Sequence, residues 1–157
     1  EHHGHVHLSN KGSNGARCSI FLPTSQASRK AAANDKRILL IEDDPSVARY
    51  LETLFGENDF AVTAVSLPTE ALAKFMAEPD EFNLVITDQL MPQGTGIELA
   101  EDIHELRPEL PVIMATANPA GISEDDMLRA GVKAVFGKPI ESELLLAKVR
   151  GLLSGHA

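Results

Sequence analysis

Five short apolar runs alternate with five stretches of helical spacing over most of the chain. Ile38-Leu39-Leu40-Ile41 is a continuous run, the pattern of a strand buried on both faces. Val47, Leu51, Leu54 and Phe55 follow at helical spacing. Residues 60–65 read as a second strand. Pro68 then opens a helix where its missing N–H does no harm, with Ala71, Leu72, Phe75 and Met76 on its apolar side. Leu84-Val85-Ile86 is a third strand. Thr95 and Glu98 have capping-box spacing ahead of Ile97, Leu99, Ile103 and Leu106. Residues 111–115 form a fourth strand, and Ser123 with Asp126 suggests a cap before Met127, Leu128 and Ala130. Residues 132–136 make a fifth strand and residues 141–153 a closing helix. Strands alternating with helices in this way predict a doubly wound α/β domain, a five-stranded parallel sheet covered by five helices.

The first 36 residues have a different pattern. Val6 and Leu8 alternate with polar neighbours, as do Cys18, Ile20 and Leu22, and the turn-rich Asn10-Lys11-Gly12-Ser13-Asn14-Gly15 lies between them. That is a hairpin signature. Two strands alone are marginal in water, so the hairpin reads as a remnant of a larger sheet. Residues 24–36 are small, polar and charged, as in a linker. The chain begins at Glu1 rather than Met, consistent with a fragment.

Composition narrows the function classes. The chain has 157 residues and a net charge of −9. Residues 1–36 hold five basic and two acidic groups, +3, which leaves −12 for the remainder. So acidic a body disfavours binding nucleic acid through its phosphates. The single cysteine, Cys18, excludes an internal disulfide framework and fits a reducing, cytoplasmic compartment. The charge-free stretch 110–122 is too short to span a bilayer and includes Thr116 and Asn118, so no direct membrane contact is expected. No basic segment followed by an apolar one opens the chain, so no signal peptide is expected.

In an open parallel sheet, function gathers beyond the carboxyl ends of the strands. The first strand ends in Glu42-Asp43-Asp44, the third in Asp88, the fourth in Thr116-Ala117 and the fifth in Lys138-Pro139. Acidic oxygens from two strands suit a small hard cation such as Mg²⁺. Asp88 can serve both as a ligand and as a nucleophile on phosphorus. The cation, the Lys138 ammonium and the Thr116 hydroxyl can each bind an oxygen of a transferring phosphoryl group. With no phosphate present, Lys138 is expected to pair with the carboxylates. Each residue alone is ordinary: acidic pairs are commonly solvated, and Thr is a common strand residue. The four in order on successive strand ends are not ordinary.

With these motifs, residues 37–153 resemble the receiver domain of two-component response regulators, a flavodoxin-like fold. The matching segments are Glu42-Asp43-Asp44-Pro45, Asp88-Gln89-Leu90-Met91-Pro92 with Thr95-Gly96, Thr116-Ala117 and Lys138-Pro139. The resemblance implies that Asp88 is the phosphoacceptor. It implies that Asp43 ligates Mg²⁺ directly, that Glu42 acts largely through water, and that the Leu90 carbonyl completes the protein's share of the shell. Thr116 and Lys138 would be the switch hydroxyl and the family lysine, with Asp44 in a flanking role. The family often has an aromatic residue three positions before the lysine, where this chain has Val135. Phe136 beside it would point to the opposite face of the sheet.

Residues 1–23 resemble the last hairpin of a histidine-kinase ATP-binding domain. Gln89, the segment Gly96-Ile97-Glu98-Leu99-Ala100 and the segment Arg107-Pro108-Glu109-Leu110-Pro111 are similar to C-terminal receivers of hybrid sensor kinases. Together they imply a receiver at the end of a hybrid histidine kinase, a parent that can be membrane-anchored. The nucleotide boxes and the dimerisation helix are not in this sequence, so the chain alone is expected to carry no kinase activity beyond phosphorylation and dephosphorylation of Asp88. Only residues 154–157 follow the closing helix, so no output domain is expected. The implied partners are a histidine kinase core or a histidine phosphotransfer protein, and the resemblance allows a homodimer formed through the parent kinase. Two alternatives stand beside this reading. One is a Mg²⁺-dependent phosphatase of haloacid-dehalogenase type, which would place its nucleophile on the first strand with a second aspartate two residues on. The other is a docking module that is never phosphorylated. His2, His3, His5 and His7 read as a solvated strand end, with a metal site or a tag remnant as the alternatives, and Cys18 reads as a small core residue.

Overall fold

The computed structural model describes residues 36–155 in full and residues 6–9 and 17–20 by their backbone. The chain divides into two compact units, residues 1–34 and 35–157. In the first, β1 (Val6–Ser9) pairs antiparallel with β2 (Arg17–Ile20), Leu8 opposite Cys18. Leu22 of the expected second strand, linker residues 24–35, and His2, His3 and His5 lie outside the described residues, as do the side chains of His7 and Cys18.

The second unit holds five parallel strands: β3 (Lys36–Ile41), β4 (Phe60–Val65), β5 (Leu84–Asp88), β8 (Val112–Thr116) and β9 (Val132–Gly137). Their order is β4-β3-β5-β8-β9. Between β5 and β8 a two-residue hairpin forms from β6 (Leu90–Met91) and β7 (Gly94–Thr95). Five helices connect or close the sheet: α1 (Pro45–Gly56), α2 (Pro68–Ala77), α3 (Gly96–Leu106), α4 (Glu124–Arg129) and α5 (Ser142–Ser154). A short 3₁₀ turn, Pro119–Gly121, precedes α4. This is the expected five-stranded, five-helix receiver fold.

Neighbouring residues of a strand face opposite sides of the sheet, and the core divides accordingly. Ile38, Leu40, Leu84, Ile86 and Ile113 pack beneath α1 and α5, against Leu51, Phe55, Leu145 and Val149. Leu39, Ile41, Val85, Val112 and Met114 face α2 and α3, against Phe75, Leu99 and Ile103. Both faces of the central strands are covered, which explains their unbroken apolar runs. Val135 joins the α2–α3 side and Phe136 the α1–α5 side, as the strand period requires.

Helix starts follow the expected chemistry. Thr95 and Glu98 form a reciprocal capping box on α3, and Ser123 and Asp126 form another on α4. Pro68 opens α2. Asp44, expected to flank the acidic site, caps α1: its Oδ1 accepts the N–H groups of Ser46 and Val47 at 2.8 and 3.3 Å.

Several boundaries and faces differ from the sequence expectation. β3 begins at Lys36, a residue expected in the linker, whose ammonium donates to the Leu153 carbonyl at the end of α5. A positive group at a helix C-terminus is favourable, because the last carbonyls have no partner within the helix. Met76 and Leu106, expected on apolar stripes, are mostly exposed, and Leu128 is 81% exposed. α4 has only six residues, so only one narrow side of it meets the core.

Candidate functional site

The strand order reverses between β3 and β5, because the chain leaves β3 for β4 on one side and returns to β5 on the other. A crevice forms at such a switch point, beyond the carboxyl ends of the strands. Glu42 and Asp43 directly follow β3, and Asp88 ends β5, so the acids flank this crevice. One carboxylate oxygen from each of Glu42, Asp43 and Asp88 lies within 4.8 Å of the others. Glu42 is 3% exposed and Asp88 9% exposed, whereas Asp43 faces solvent. The cluster therefore has a buried floor and an open side.

Lys138 follows β9 and reaches across to both buried acids. Its Nζ donates to Glu42 Oε2 and to Asp88 Oδ2, each at 2.8 Å. A backbone bond from Lys138 N–H to the Thr116 carbonyl at 2.8 Å ties the ends of β8 and β9 together. Burial raises the Glu42 pKa above its ordinary value of 4.5; the hydrogen bond and charge of Lys138 oppose that rise without cancelling it. Burial alone would lower the Lys138 pKa, but its bonds to Asp88 and Glu42 outweigh this, and the ammonium is held above its ordinary 10.5.

Thr116 ends β8 and is 2% exposed. Its Oγ1 accepts the Asn118 N–H at 3.2 Å. Asp88 Oδ1 accepts two backbone donors, Gln89 N–H at 2.6 Å and Leu90 N–H at 3.4 Å. These two bonds and the Lys138 bond fix the orientation of the Asp88 carboxyl. Leu90 starts β6, and its side chain points to solvent.

Two residues of the site carried no role in the sequence reading. The Gln89 side-chain carbonyl accepts the Ile97 N–H at 3.1 Å, and the Gln89 backbone carbonyl accepts the Gly96 N–H at 2.9 Å. Gly96 passes so close to the Asp88 carbonyl that a Cβ built there would lie 2.1 Å from the oxygen. No local signal marks Gln89, because its partner lies eight residues on and is met only when the loop closes. Gly96, placed directly after an N-cap threonine, was the readable hint of a close backbone approach.

The donor set suits a small hard dication. Three carboxylates offer oxygen alone, and the one nearby ammonium leaves the group with a formal charge of −2. An open groove of about 440 Å³ runs beside Lys138, lined by Ser46, Val47, Tyr50, Pro139 and Ile140. Among the described residues, no helix is long and apolar enough to cross a membrane.

Comparison with known proteins agrees with this arrangement. Residues 38–150 match the family model for the response regulator receiver domain. The transcriptional regulatory protein FlgR of Helicobacter pylori is 34% identical over 114 residues, covering 72% of this chain and 28% of that protein. The hybrid signal transduction histidine kinase D of Dictyostelium discoideum is 32% identical over 124 residues, 77% of this chain and 8% of that protein. Among solved structures, the response regulator protein TrrA of Thermotoga maritima, in complex with Mg²⁺ and BeF, is 28% identical with a TM-score of 0.69. That match covers 75% of this chain and 99% of the other. The chain thus spans less than a third of the length of these two curated relatives.

Proposed function

The chain belongs to the response regulator receiver domains of two-component signalling, and on that premise we propose that Asp88 accepts a phosphoryl group from a phosphohistidine donor. The observation that carries this reading is the bridging position of Lys138. Its ammonium meets Glu42 and Asp88 at 2.8 Å each, joining two carboxyl-bearing strand ends to a third. A carboxylate oxygen of Asp88 attacks phosphorus as the P–N bond of the donor breaks, and the imidazole nitrogen leaves with the bonding electron pair. Lys138 shifts its hydrogen bonds from the free carboxylate to an oxygen of the incoming phosphoryl group. The Thr116 hydroxyl, at the adjacent strand end, binds another. Glu42, Asp43, Asp88 and the Leu90 carbonyl are the residues that would hold Mg²⁺. When bound, Mg²⁺ supplies positive charge that offsets the charge of the phosphoryl oxygens. The signal then leaves through protein contacts or onward relay.

The test is incubation of the chain with a small phosphodonor, with Mg²⁺ or with chelator. The expected result is one added phosphoryl group with Mg²⁺, none with chelator, and none in Asp88→Asn. Equal labelling of the Asp88→Asn variant overturns the assignment. Steady turnover of a phosphomonoester would instead support the phosphatase alternative. Absence of both labelling and Mg²⁺ binding would support a docking module.

The second part of the proposal concerns the parent protein. Residues 1–23 are read as the last hairpin of a histidine-kinase ATP-binding domain, residues 24–36 as a linker, and 37–153 as the receiver. The antiparallel pairing of Val6–Ser9 with Arg17–Ile20 and the similarity to a hybrid kinase support this order. Sequencing upstream of the Glu1 codon tests it. A glycine-rich ATP box is expected there, and an unrelated reading frame or an output domain contradicts the hybrid origin.

A further inference from the structure

Among the described residues, Gln89 is the one polar side chain that links the reactive strand end to a helix through a contact the phosphoacceptor reading does not use. It follows Asp88 and binds in three directions. Its N–H donates to Asp88 Oδ1 at 2.6 Å. Its backbone carbonyl accepts from Gly96 N–H at 2.9 Å, and its side-chain carbonyl accepts from Ile97 N–H at 3.1 Å. Gly96 and Ile97 are the first two residues of α3, whose opening N–H groups have no partner inside the helix. The third, on Glu98, is taken by Thr95. Of the first three N–H groups of α3, two are therefore satisfied by Gln89 and one by the helix's own cap. The loop from 88 to 96 is pinned at both ends and closed in the middle by β6 and β7.

We propose that Gln89 is a positioning residue that sets the lifetime of the phosphoryl group on Asp88. The inference rests on the phosphoacceptor reading above. When the acyl phosphate hydrolyses, the oxygen of a water molecule forms a bond to phosphorus as the bond from phosphorus to the Asp88 oxygen breaks. The bonding pair returns to the Asp88 carboxyl, and the water proton leaves to solvent. Negative charge thus develops on the carboxyl oxygens in the transition state. A donor already aimed at them stabilises that state with no reorganisation. Gln89 N–H is such a donor, and its direction depends on how firmly the rest of the residue is held. The tether to Ile97 holds it. Without the tether, the N–H loses alignment and the carboxyl becomes a poorer leaving group.

The experiment follows loss of the phosphorylated mass over time in the full chain, with Mg²⁺, after the phosphodonor is removed. Gln89→Leu removes the acceptor at similar size, and Gln89→Asn withdraws it by one methylene. Both are expected to lose the phosphoryl group more slowly, about three- to tenfold. Gln89→Glu keeps the acceptor and is expected to hydrolyse at the wild-type rate. Thr95→Ala weakens the same helix start without touching the tether. It is expected to lower the melting temperature about as much as Gln89→Leu, with the hydrolysis rate unchanged. Wild-type rates in both Gln89→Leu and Gln89→Asn overturn the proposal. So does an equal slowing in Thr95→Ala, which would make the effect one of helix stability alone. If the wild-type chain takes up no phosphoryl group, the phosphoacceptor reading falls and this inference falls with it. Normal labelling with unchanged rates removes only the role of Gln89.

Discussion

Glu42 is a carboxyl group held at a buried strand end, and its burial raises its pKa above 4.5 even with Lys138 at 2.8 Å. The sign of its effect on stability follows. A carboxyl whose pKa is higher in the folded chain than in the unfolded one favours the fold at low pH. That contribution is lost as pH rises through the raised value, because the buried group must then ionise. Glu42→Gln removes this burden. The variant is therefore expected to gain stability relative to the wild type as pH climbs from below 4.5 towards neutrality. Urea unfolding at a series of pH values in metal-free buffer measures it. A constant difference across the range would contradict the account. Lys138 behaves in the opposite region: its raised pKa keeps the paired ammonium favourable until strongly alkaline pH. The Glu42 carboxyl that burdens the metal-free chain is among the groups a dication would stabilise, so Mg²⁺ is expected to raise the melting temperature of the wild type more than that of Glu42→Gln.

At the scale of elements, the site depends on how β5 meets α3. The Asp88 carbonyl lies where a Cβ on Gly96 would stand, at 2.1 Å, and the blocking atom is backbone that no side-chain rotation can clear. Gly96→Ala is expected to cost about 1–3 kcal/mol by overpacking and to displace Asp88. Thermal melts together with the labelling assay measure both. Wild-type stability with full labelling would contradict the close approach. Much of this arrangement was legible in the sequence. Asp88, Thr116 and Lys138 could be placed because each ends an apolar run, and strand ends of a parallel sheet converge. Both capping boxes could be placed because their spacing is local. Other features were not legible. Asp44 reads as a flanking acid, and only the turn into α1 shows it capping that helix. Gln89 reads only as part of the segment after Asp88 that resembles hybrid-kinase receivers, and its tether to α3 appears only when the loop closes. Leu128 reads as part of an apolar stripe, but α4 is too short to bury it. Lys36 reads as linker by composition, and its strand position appears only through pairing with Phe60.

Across the whole receiver unit, a sheet with two buried faces leaves the ends of its strands for chemistry. The order β4-β3-β5-β8-β9 brings four strand ends together around the crevice. The excess of negative charge, −12 outside the first 36 residues, lies on the unit that carries the site. Such a field disfavours nucleic acid and favours a dication at the point where three carboxylates converge. The three acids expected to hold Mg²⁺ are a small part of that negative charge. The account's central claim is that this site makes an acyl phosphate on Asp88. The most direct measurement is borohydride reduction of the labelled chain, which converts an aspartyl phosphate to homoserine, followed by peptide mapping. Homoserine at position 88, dependent on both phosphodonor and Mg²⁺, is the result the account predicts. Conversion at another carboxylate, or a phosphorylated chain with no reducible acyl phosphate, would contradict it.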